Sequence, residues 1–407
     1  MDVRFVVTHL SHGSPGSFYR PYEMARHLAK LGVISKILTP FEEDVKKISE
    51  VQMVGMPHIS QKLKASNFAY GSLRRIIYSK KLSHLISYDK LITSLAEKTA
   101  RNIEKSLDTK SGILQGEQEV AALAAIKVGK KLRIPVVVDI HNIWPEELVS
   151  TGHLKRESDT FINLMELERF IVENADSVIV VNEFMQEYVV SNFNVASNKI
   201  TLIPPGGEIV YDNSDENAEK ERSSQKKVVY AGLVNAREHV DLLVDSIPFV
   251  SRKHPNVRFI IAEKGENIRE IKNLCKSLPI KPEFYWFESR NEARKMLKKC
   301  YLGALPSEDD IGRKLGTPLK LFEYMSNGLP VVANDIGSWC DIIKEQKIGI
   351  LTKDDPKDFA DSICTLLEDE NTYRTMQNNM FKLLKERFSW KIHVEKILLP
   401  LYQHLLS

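Results

Sequence analysis

Residues 316–333 read Gly-Thr-Pro-Leu-Lys-Leu-Phe-Glu-Tyr-Met-Ser-Asn-Gly-Leu-Pro-Val-Val-Ala. This run predicts a short helix, a stop at Gly328 and a buried strand that ends at Ala333. Lys320 and Glu323 are three residues apart and therefore share one helix face. A carboxylate there can bind both hydroxyls of a ribose, and an ammonium group can neutralise a diphosphate. The alternative is an exposed Lys–Glu pair, but the fixed order of Pro, Lys, Glu, Gly and Pro favours nucleotide binding.

On both sides of this segment, short β-branched runs alternate with helical patterns, which is typical of parallel α/β sheets. The strands predicted in the first half are Arg4–Thr8, Ile34–Leu38, Val136–Asp139, Ser177–Val181 and Lys199–Ile203, and the helices include Tyr22–Leu31 and Ser158–Asn174. The strands predicted in the second half are Lys227–Tyr230, Arg258–Ile261, Leu302–Leu305, Pro330–Ala333 and Gly349–Leu351. We therefore expect two doubly wound α/β domains, with ligands outside the carboxyl ends of their strands.

A Pro-Pro-Gly-Gly run at 204–207 separates the two halves, and the stretch that follows, up to Lys227, is polar. Because this stretch contains almost nothing to bury, it predicts an inter-domain linker. The predicted organisation is a first domain at 1–205, a linker at 206–226 and a second domain at 227–388.

Composition excludes several classes of protein. The chain has 407 residues, 43% hydrophobic and 27% charged, which predicts two or three folded domains and not a disordered chain. The formal net charge of +3 gives no support for a nucleic-acid partner. No signal-peptide pattern opens the sequence and no apolar run approaches the ~18 residues of a membrane span, so we expect a cytoplasmic protein. Four cysteines lack metal-ligand spacing and are expected to be buried, reduced thiols: Cys275, Cys300, Cys340 and Cys364.

Two further motifs follow predicted strands. The turn His12-Gly13-Ser14-Pro15-Gly16-Ser17 precedes a helix, so its backbone can approach a phosphate at the positive helix end. The alternative is an ordinary strand-to-helix turn. The second motif places Asp139, His141, Asn142 and Trp144 at the end of an apolar strand. A histidine there can hydrogen-bond a sugar hydroxyl and a tryptophan can stack on a ring, or the loop is merely capped with a packed tryptophan.

The chain as a whole resembles the retaining, group 1 (family 4) glycosyltransferases of GT-B fold. The resemblance covers both halves and is carried by Pro15-Gly16 through Leu28, Val138-Asp139-Ile140-His141, Ala175 through Val181, Ile203-Pro204-Pro205-Gly206-Gly207, Pro318 through Ala333, and Phe388-Ser389-Trp390. It implies two Rossmann-like domains facing a central cleft. It also implies that the C-terminal helix, at 389–407, crosses back onto the first domain.

The same resemblance implies roles for individual residues. His141 would contact the transferred sugar, and Glu323 would hold the ribose. The turn at Gly16 would face the donor's diphosphate, Lys320 would help to orient the nucleotide, and Gly232 would also bind the donor. No cofactor and no metal are expected, because basic side chains and helix dipoles meet the phosphate charge in this fold.

The sequence departs from the family pattern at three positions. Leu233 and Glu238 stand where the family commonly has basic residues that clamp the diphosphate, and Leu315 replaces the family's first acidic residue. Arg237, next to position 238, is expected as a second phosphate contact, or else is simply solvated. Two basic residues near position 315 offer another source of charge: Arg313 and Lys314.

A basic segment runs from Pro57 to Lys90, with seven basic residues against one acid and apolar residues between them. Such a segment suits attachment to an anionic membrane, so the protein is expected to be peripheral on the inner face of the membrane. The residues expected to contact lipid are Arg74, Arg75, Lys80 and Lys81. A solvated helix is the alternative, and no recognition motif supports nucleic acid.

The predicted activity is therefore transfer of a sugar from a nucleotide diphosphate sugar to a glycan or lipid-linked acceptor, with retention. The residues missing at positions 233, 238 and 315 leave an alternative open. This is a non-catalytic GT-B subunit that binds a partner glycosyltransferase or a sugar nucleotide. A GT-B epimerase is a third interpretation, but the Pro-x-Lys-x-x-Glu run resembles transferases more closely.

Overall fold

A computed structural model describes residues 1–8, 15–39, 52–55, 87–109, 111–211, 216–262, 264–287 and 290–407. The proposed membrane contacts Arg74, Arg75, Lys80 and Lys81, and the loop residues His12, Gly13 and Ser14, lie outside the described residues. The chain forms two compact units: Met1–Pro204 with Trp390–Ser407, and Pro205–Ser389.

The first unit is built on a seven-stranded parallel sheet with strand order β3-β2-β1-β4-β5-β6-β7. Its strands are β1 (Asp2–Val6), β2 (Ile34–Thr39), β3 (Gln52–Gly55), β4 (Ile113–Glu117), β5 (Val136–Asp139), β6 (Ser177–Val180) and β7 (Ile200–Leu202). The helices between them are α1 (Pro15–Lys30), α2 (Tyr88–Ser106), α3 (Gln118–Leu132), α4 (Trp144–Ser150), α5 (Asp159–Asn174) and α6 (Glu183–Phe193). This strand order reverses at β1 and β4, so a ligand site is expected at the carboxyl ends of the central strands.

The second unit repeats this pattern with a six-stranded parallel sheet, in the order β10-β9-β8-β11-β12-β13. Its strands are β8 (Lys227–Ala231), β9 (Arg258–Ala262), β10 (Glu283–Tyr285), β11 (Leu302–Ala304), β12 (Val331–Asn334) and β13 (Gly349–Thr352). Its helices are α7 (Glu216–Gln225), α8 (Val240–Lys253), α9 (Ile268–Leu274), α10 (Arg290–Leu297), α11 (Ile311–Leu315), α12 (Leu319–Ser326), α13 (Cys340–Glu345), α14 (Pro356–Glu368) and α15 (Glu370–Leu383).

The C-terminal segment returns to the first unit as α16 (Trp390–His393), a π-helical stretch and α17 (Leu399–Leu406). Its buried side chains recur every four residues at Trp390, Val394, Leu398 and Tyr402. They join a core cluster with side chains of β1 such as Phe5. Burying one such side chain contributes roughly 1.5–3 kcal/mol, so this segment is an integral part of the first unit.

The interpretation of 206–226 as a linker is wrong, because α7 lies within it and belongs to the second unit. Arg222 of α7 is fully buried and donates hydrogen bonds to the carbonyls of Lys298 and Asn327, each 2.9 Å away. Its guanidinium also stacks on the ring of Tyr211, 4.1 Å from the ring centroid. The helix is thus held by polar contacts and not by the apolar residues that the sequence pattern looks for.

All four cysteines are buried and free, as expected. Among the described residues, no helix is both long and apolar enough to cross a membrane.

Candidate functional site

In the first unit, two acidic residues lie side by side at the carboxyl edge of the sheet. Glu117 ends β4 and Asp139 ends β5, and the parallel register pairs these two residues directly. Both side chains are buried. His141 follows β5 by two residues, so the strand ends bring all three side chains together.

The imidazole of His141 lies between the two carboxyl groups. Its Nε2 is 3.2 Å from Glu117 Oε2 and 3.4 Å from Asp139 Oδ1. On the other side of Asp139, Arg20 of α1 donates through Nε to Oδ2 at 2.8 Å. Arg20 also donates to the carbonyl of Ile203 at 2.8 Å, which fixes the guanidinium. The site is therefore a row of alternating charges.

Glu117 is positioned from behind by the C-terminal segment. Gln115 Nε2 donates to Glu117 Oε1 at 2.8 Å. The hydroxyl of Tyr402, in α17, donates in turn to Gln115 Oε1. Because the carboxyl group is held from this side, its other oxygen faces His141.

These contacts set the charge of the histidine. Burial opposes a charge on His141, but Asp139 and Glu117 outweigh it and raise the pKa of His141 to about 9. Burial also opposes the charge on Asp139, yet Arg20 and His141 lower the pKa of that carboxyl. Burial and the charge of Asp139 raise the pKa of Glu117. His141 is therefore protonated at neutral pH, and its 17% exposed side chain can donate a hydrogen bond to a sugar or phosphate oxygen.

A pH dependence of stability follows from this protonation. The folded-state pKa of His141, about 9, lies above the unfolded value of 6.5. Its contribution is therefore fully present below about pH 6.5 and is lost as the pH rises through 9. A shift of this size corresponds to about 3 kcal/mol at most. We expect His141→Asn to flatten the fall in unfolding free energy between pH 6.5 and 9, measured by denaturant titration.

The comparison is best made in a His239→Asn background. His239, in the second unit, also has its pKa raised to about 9, mainly by hydrogen bonding to Asp241. In this background, the second histidine with a pKa raised to about 9 no longer contributes to the pH dependence, so the effect of His141 is easier to measure. An identical pH slope with and without His141 would contradict the charge assignment.

The second unit places α12 against the end of β8. Tyr324 of α12 accepts a hydrogen bond from the backbone N–H of Ala231 at 2.9 Å. The ring of Tyr324 packs on Gly303, where a Cβ atom would lie 2.5 Å from it. The helix ends before Gly328, which has a positive φ of 59°. Lys320 and Glu323 thus lie on one short, well-anchored helix, Lys320 with its side chain mostly buried and Glu323 half-buried.

Lys320 crosses the turn after β8. A Cβ atom on Gly232 would lie 1.7 Å from Lys320 Cε, so the lysine in this position occupies the space that the glycine leaves open. Lys320 Nζ donates to the hydroxyl of Tyr230 at 2.9 Å and forms an ion pair with Glu238. The ammonium group thus reaches the carboxyl edge of the sheet through the space beside Gly232.

Glu238 is shared between two cations. Arg313 Nη1 lies 3.3 Å from Glu238 Oε1, and Arg313 Nη2 donates to Ser307 Oγ at 2.9 Å. Burial opposes the charge of Glu238, but Arg313 and Lys320 outweigh it and lower its pKa to about 2. Glu238 is therefore ionised, and with Lys320 and Arg313 it forms a cluster of two cations and one anion, which we call the Glu238 cluster.

The structure also places the two other expected donor contacts, Gly16 and Arg237. Gly16 lies in the first turn of α1, because that helix begins at Pro15, before the predicted start at Tyr22. Arg237 lies in the 3₁₀ turn Ala236–Glu238, where its carbonyl accepts from the N–H of Glu308 at 3.0 Å. Its role as a phosphate contact stays a prediction.

The tryptophan expected to stack on a sugar has a packing partner. Trp144 lies edge-to-face with Tyr88, with ring centroids 5.9 Å apart. This contact agrees with the alternative stated above, in which the tryptophan packs against the protein and does not stack on a sugar. Glu117, Asp139 and His141 place ligand atoms within 4.8 Å of one another, as a metal site would require. Arg20 and the protonated His141 already supply positive charge there, and the expected absence of a metal stays a prediction.

Two family models match the chain, and together they cover most of it. The model described as Glycosyltransferase Family 4 matches residues 19–208, and the one described as Glycosyl transferases group 1 matches residues 212–383. The chain belongs to the group 1, family 4 glycosyltransferases.

Among relatives of this glycosyltransferase, an uncharacterized glycosyltransferase of Methanocaldococcus jannaschii is 25% identical, over 63% of this chain and 66% of that protein. The uncharacterized glycosyltransferase YqgM of Bacillus subtilis is 22% identical, over 79% and 85%. A third, from Schizosaccharomyces pombe, is named as the gpi3 subunit of a phosphatidylinositol N-acetylglucosaminyltransferase and is 20% identical, over 55% and 48%. The chain thus spans between about half and 85% of the length of these relatives.

Solved structures share the fold. A glycosyltransferase from Rickettsia africae superposes with a TM-score of 0.69 at 16% identity, over 100% of this chain and 98% of that one. Anabaena HepE, solved with UDP and glucose, superposes with a TM-score of 0.71 at 15% identity, over 99% and 100%. The fold class predicted from the sequence, GT-B with two Rossmann-like domains, is confirmed.

Sequence reasoning on this glycosyltransferase missed several site residues. Glu117 ends a strand that was not predicted, and Arg20 lies in the middle of a helix without a motif. The sequence indicates Arg313 only as a source of charge near position 315. By its position Glu238 replaces a basic residue of the family pattern, whereas the structure makes it the centre of a charge cluster.

Proposed function

We propose that this glycosyltransferase transfers a hexose-type residue from a nucleotide diphosphate sugar to an acceptor, with retention of configuration. One observation carries the proposal: Lys320, on α12, reaches the carboxyl end of β8 through the gap at Gly232. Glu323 lies on the same helix. Doubly wound sheets bind nucleotides at this edge. We assign the diphosphate to Lys320 and the ribose to Glu323.

The relatives support a sugar-nucleotide donor. Anabaena HepE was solved with UDP and also with UDP-glucose. In the first unit, the protonated His141 offers a hydrogen-bond donor for the transferred sugar or its leaving phosphate. The non-catalytic alternative is not favoured.

The test is a thermal-shift screen of the purified protein against UDP-, GDP-, ADP- and dTDP-sugars without added metal. A ligand that binds only native protein raises its melting temperature, so one nucleotide series should stand out at millimolar concentration. We expect a selective shift with one base. If no donor shifts the melting temperature of a folded sample, the proposal is wrong.

We further propose a lipid-linked or polysaccharide acceptor, reached from an anionic membrane surface. The name of the Schizosaccharomyces pombe relative refers to a lipid acceptor, phosphatidylinositol. The basic segment of this chain adds about 1 kcal/mol of attraction per basic residue near an anionic surface. Both observations favour a membrane-associated acceptor for this enzyme.

We expect the protein to sediment with vesicles that contain phosphatidylserine, and much less with vesicles of phosphatidylcholine alone. Replacing Arg74, Arg75, Lys80 and Lys81 by serine should abolish the difference.

The matched control removes four basic charges from α3 and its C-cap: Lys127, Lys130, Lys131 and Arg133. This variant should sediment like the wild type. Equal loss in both variants would indicate a general charge effect and would contradict a dedicated membrane segment.

A further inference from the structure

The Glu238 cluster is nearly closed off from solvent. The side chains of Arg313, Glu238 and Lys320 are 11%, 12% and 13% exposed. The hydroxyl of Tyr230 lies 3.1 Å from Glu238 Oε2 and 2.9 Å from Lys320 Nζ. The carboxylate thus touches both cations, and one tyrosine hydroxyl touches the carboxylate and the lysine.

Two cations at this depth need a counter-ion. Without Glu238, Lys320 and Arg313 would face each other in a region of low dielectric, where like charges repel more strongly than in water. A buried cation that loses its partner is strongly destabilising. Glu238 therefore stabilises the protein when no ligand is bound.

The same cations suit a diphosphate. A guanidinium group recognises phosphate oxygens through paired N–H donors, and an ammonium group acts as a point charge beside them. The cluster carries a net charge of +1, so an anion with two or more charges is attracted but must share the donors with Glu238. A carboxylate and a diphosphate compete for the same two groups.

We propose that Arg313 and Lys320 together bind the donor diphosphate. Glu238 is the counter-ion of both cations in the empty site, and the diphosphate replaces it when the donor binds. This inference rests on the proposed function, because it assumes a nucleotide diphosphate sugar as ligand. Arg313 is then a donor-binding residue, and competition from Glu238 lowers the affinity of the site for the diphosphate.

Glu238→Gln is expected to change stability and diphosphate affinity in opposite directions. Glu238→Gln should lower the melting temperature of the empty protein, because the two cations lose their counter-ion. The same change should raise the affinity for a nucleoside diphosphate, because the competing carboxylate is gone. If Glu238 only positioned the two cations, Glu238→Gln would lower the affinity for the diphosphate, because less ordered cations bind it less well.

The experiment uses the full chain and the nucleoside diphosphate that the wild type selects in the donor screen, with the corresponding nucleoside as reference. Affinities are measured by isothermal titration calorimetry. We expect Glu238→Gln to bind the diphosphate about tenfold more tightly and Arg313→Gln to bind it at least about tenfold more weakly. Neither change should alter the affinity for the nucleoside.

A matched pair of control residues lies at the amino ends of strands in the same sheet, opposite the carboxyl ends where the Glu238 cluster lies. Arg258 begins β9 and donates to Glu283 Oε1 at 2.6 Å. Arg258→Gln and Glu283→Gln remove the same charges from an ion pair far along the strands, and both should bind the diphosphate like the wild type.

The outcomes separate this inference from the proposed function. A folded wild type that binds no nucleoside diphosphate would overturn the donor assignment itself. A wild type that binds, together with a Glu238→Gln variant of equal or lower diphosphate affinity, would overturn the counter-ion role. If Glu238→Gln does not fold, Arg313→Gln decides, because it leaves Lys320 and Glu238 as a neutral pair. Unchanged diphosphate affinity in Arg313→Gln would refute the role of Arg313.

Discussion

Replacing Arg222 by methionine is expected to lower the free energy of unfolding of the second unit by about 3 kcal/mol. Methionine fills much of the same volume but donates no hydrogen bonds. The buried carbonyl of Asn327 and the part-buried carbonyl of Lys298 would then lose these donors. Each buried carbonyl left without a partner costs about 1–3 kcal/mol. Few single substitutions outside the apolar core have an effect of this size.

The measurement is denaturant unfolding followed by a probe in the second unit. Arg252→Met is the matched control, because Arg252 is an exposed arginine near the end of α8. That change should stay within about 0.5 kcal/mol. Equal losses in the two variants would mean that the buried contacts of Arg222 contribute nothing measurable.

The place of Arg222 shows what the sequence could not reveal about the fold. Its helix, α7, has almost no apolar residues, so hydrophobic periodicity predicts a linker there. The guanidinium of Arg222, stacked on the ring of Tyr211, holds the helix together with ion pairs of Glu219 and Glu221. The partners of Arg222 lie 76 and 105 residues away in sequence, and no local pattern encodes contacts over such distances.

A similar reason explains the missed strand β4. Its sequence, Ile-Leu-Gln-Gly-Glu, contains three residues that are unusual in a buried strand. Gln115 is fully buried because its side chain hydrogen-bonds Glu117 and Tyr402. Gly116 is required because a Cβ atom would lie 2.5 Å from the Cα atom of Ala122. Tertiary contacts therefore override the strand propensity of this segment.

Much of the candidate site was nevertheless predictable. Parallel sheets place ligands after their strands, so polar residues that follow an apolar run are informative wherever they occur. Asp139 ends β5 and His141 follows it by two residues, and the run that contains Lys320 and Glu323 precedes β12. What could not be predicted is the pairing of Lys320 with Glu238, which lies 82 residues away. By its position Glu238 replaces a basic residue of the family pattern, but the role of its carboxylate depends on the cations that surround it.

The second large effect is expected at Glu323. Its assigned role is to accept hydrogen bonds from the ribose, and a hydrogen bond to a charged group is worth about 1.5–3 kcal/mol. Glu323→Ala should therefore weaken binding of the nucleotide sugar by roughly 10- to 100-fold. The same change should shift the melting temperature of the ligand-free protein only slightly, because the side chain is half-buried and lies on a helix that is anchored elsewhere, by Tyr324.

This combination separates a ligand contact from a structural one. The matched control is Glu345→Ala, which removes an exposed glutamate from the end of α13. It should change neither donor affinity nor melting temperature. A Glu323→Ala variant that binds the donor as tightly as the wild type would refute the ribose assignment. A large fall in the melting temperature of the ligand-free protein would mean that Glu323 supports the fold of α12, and the weaker binding would then be a consequence of that loss.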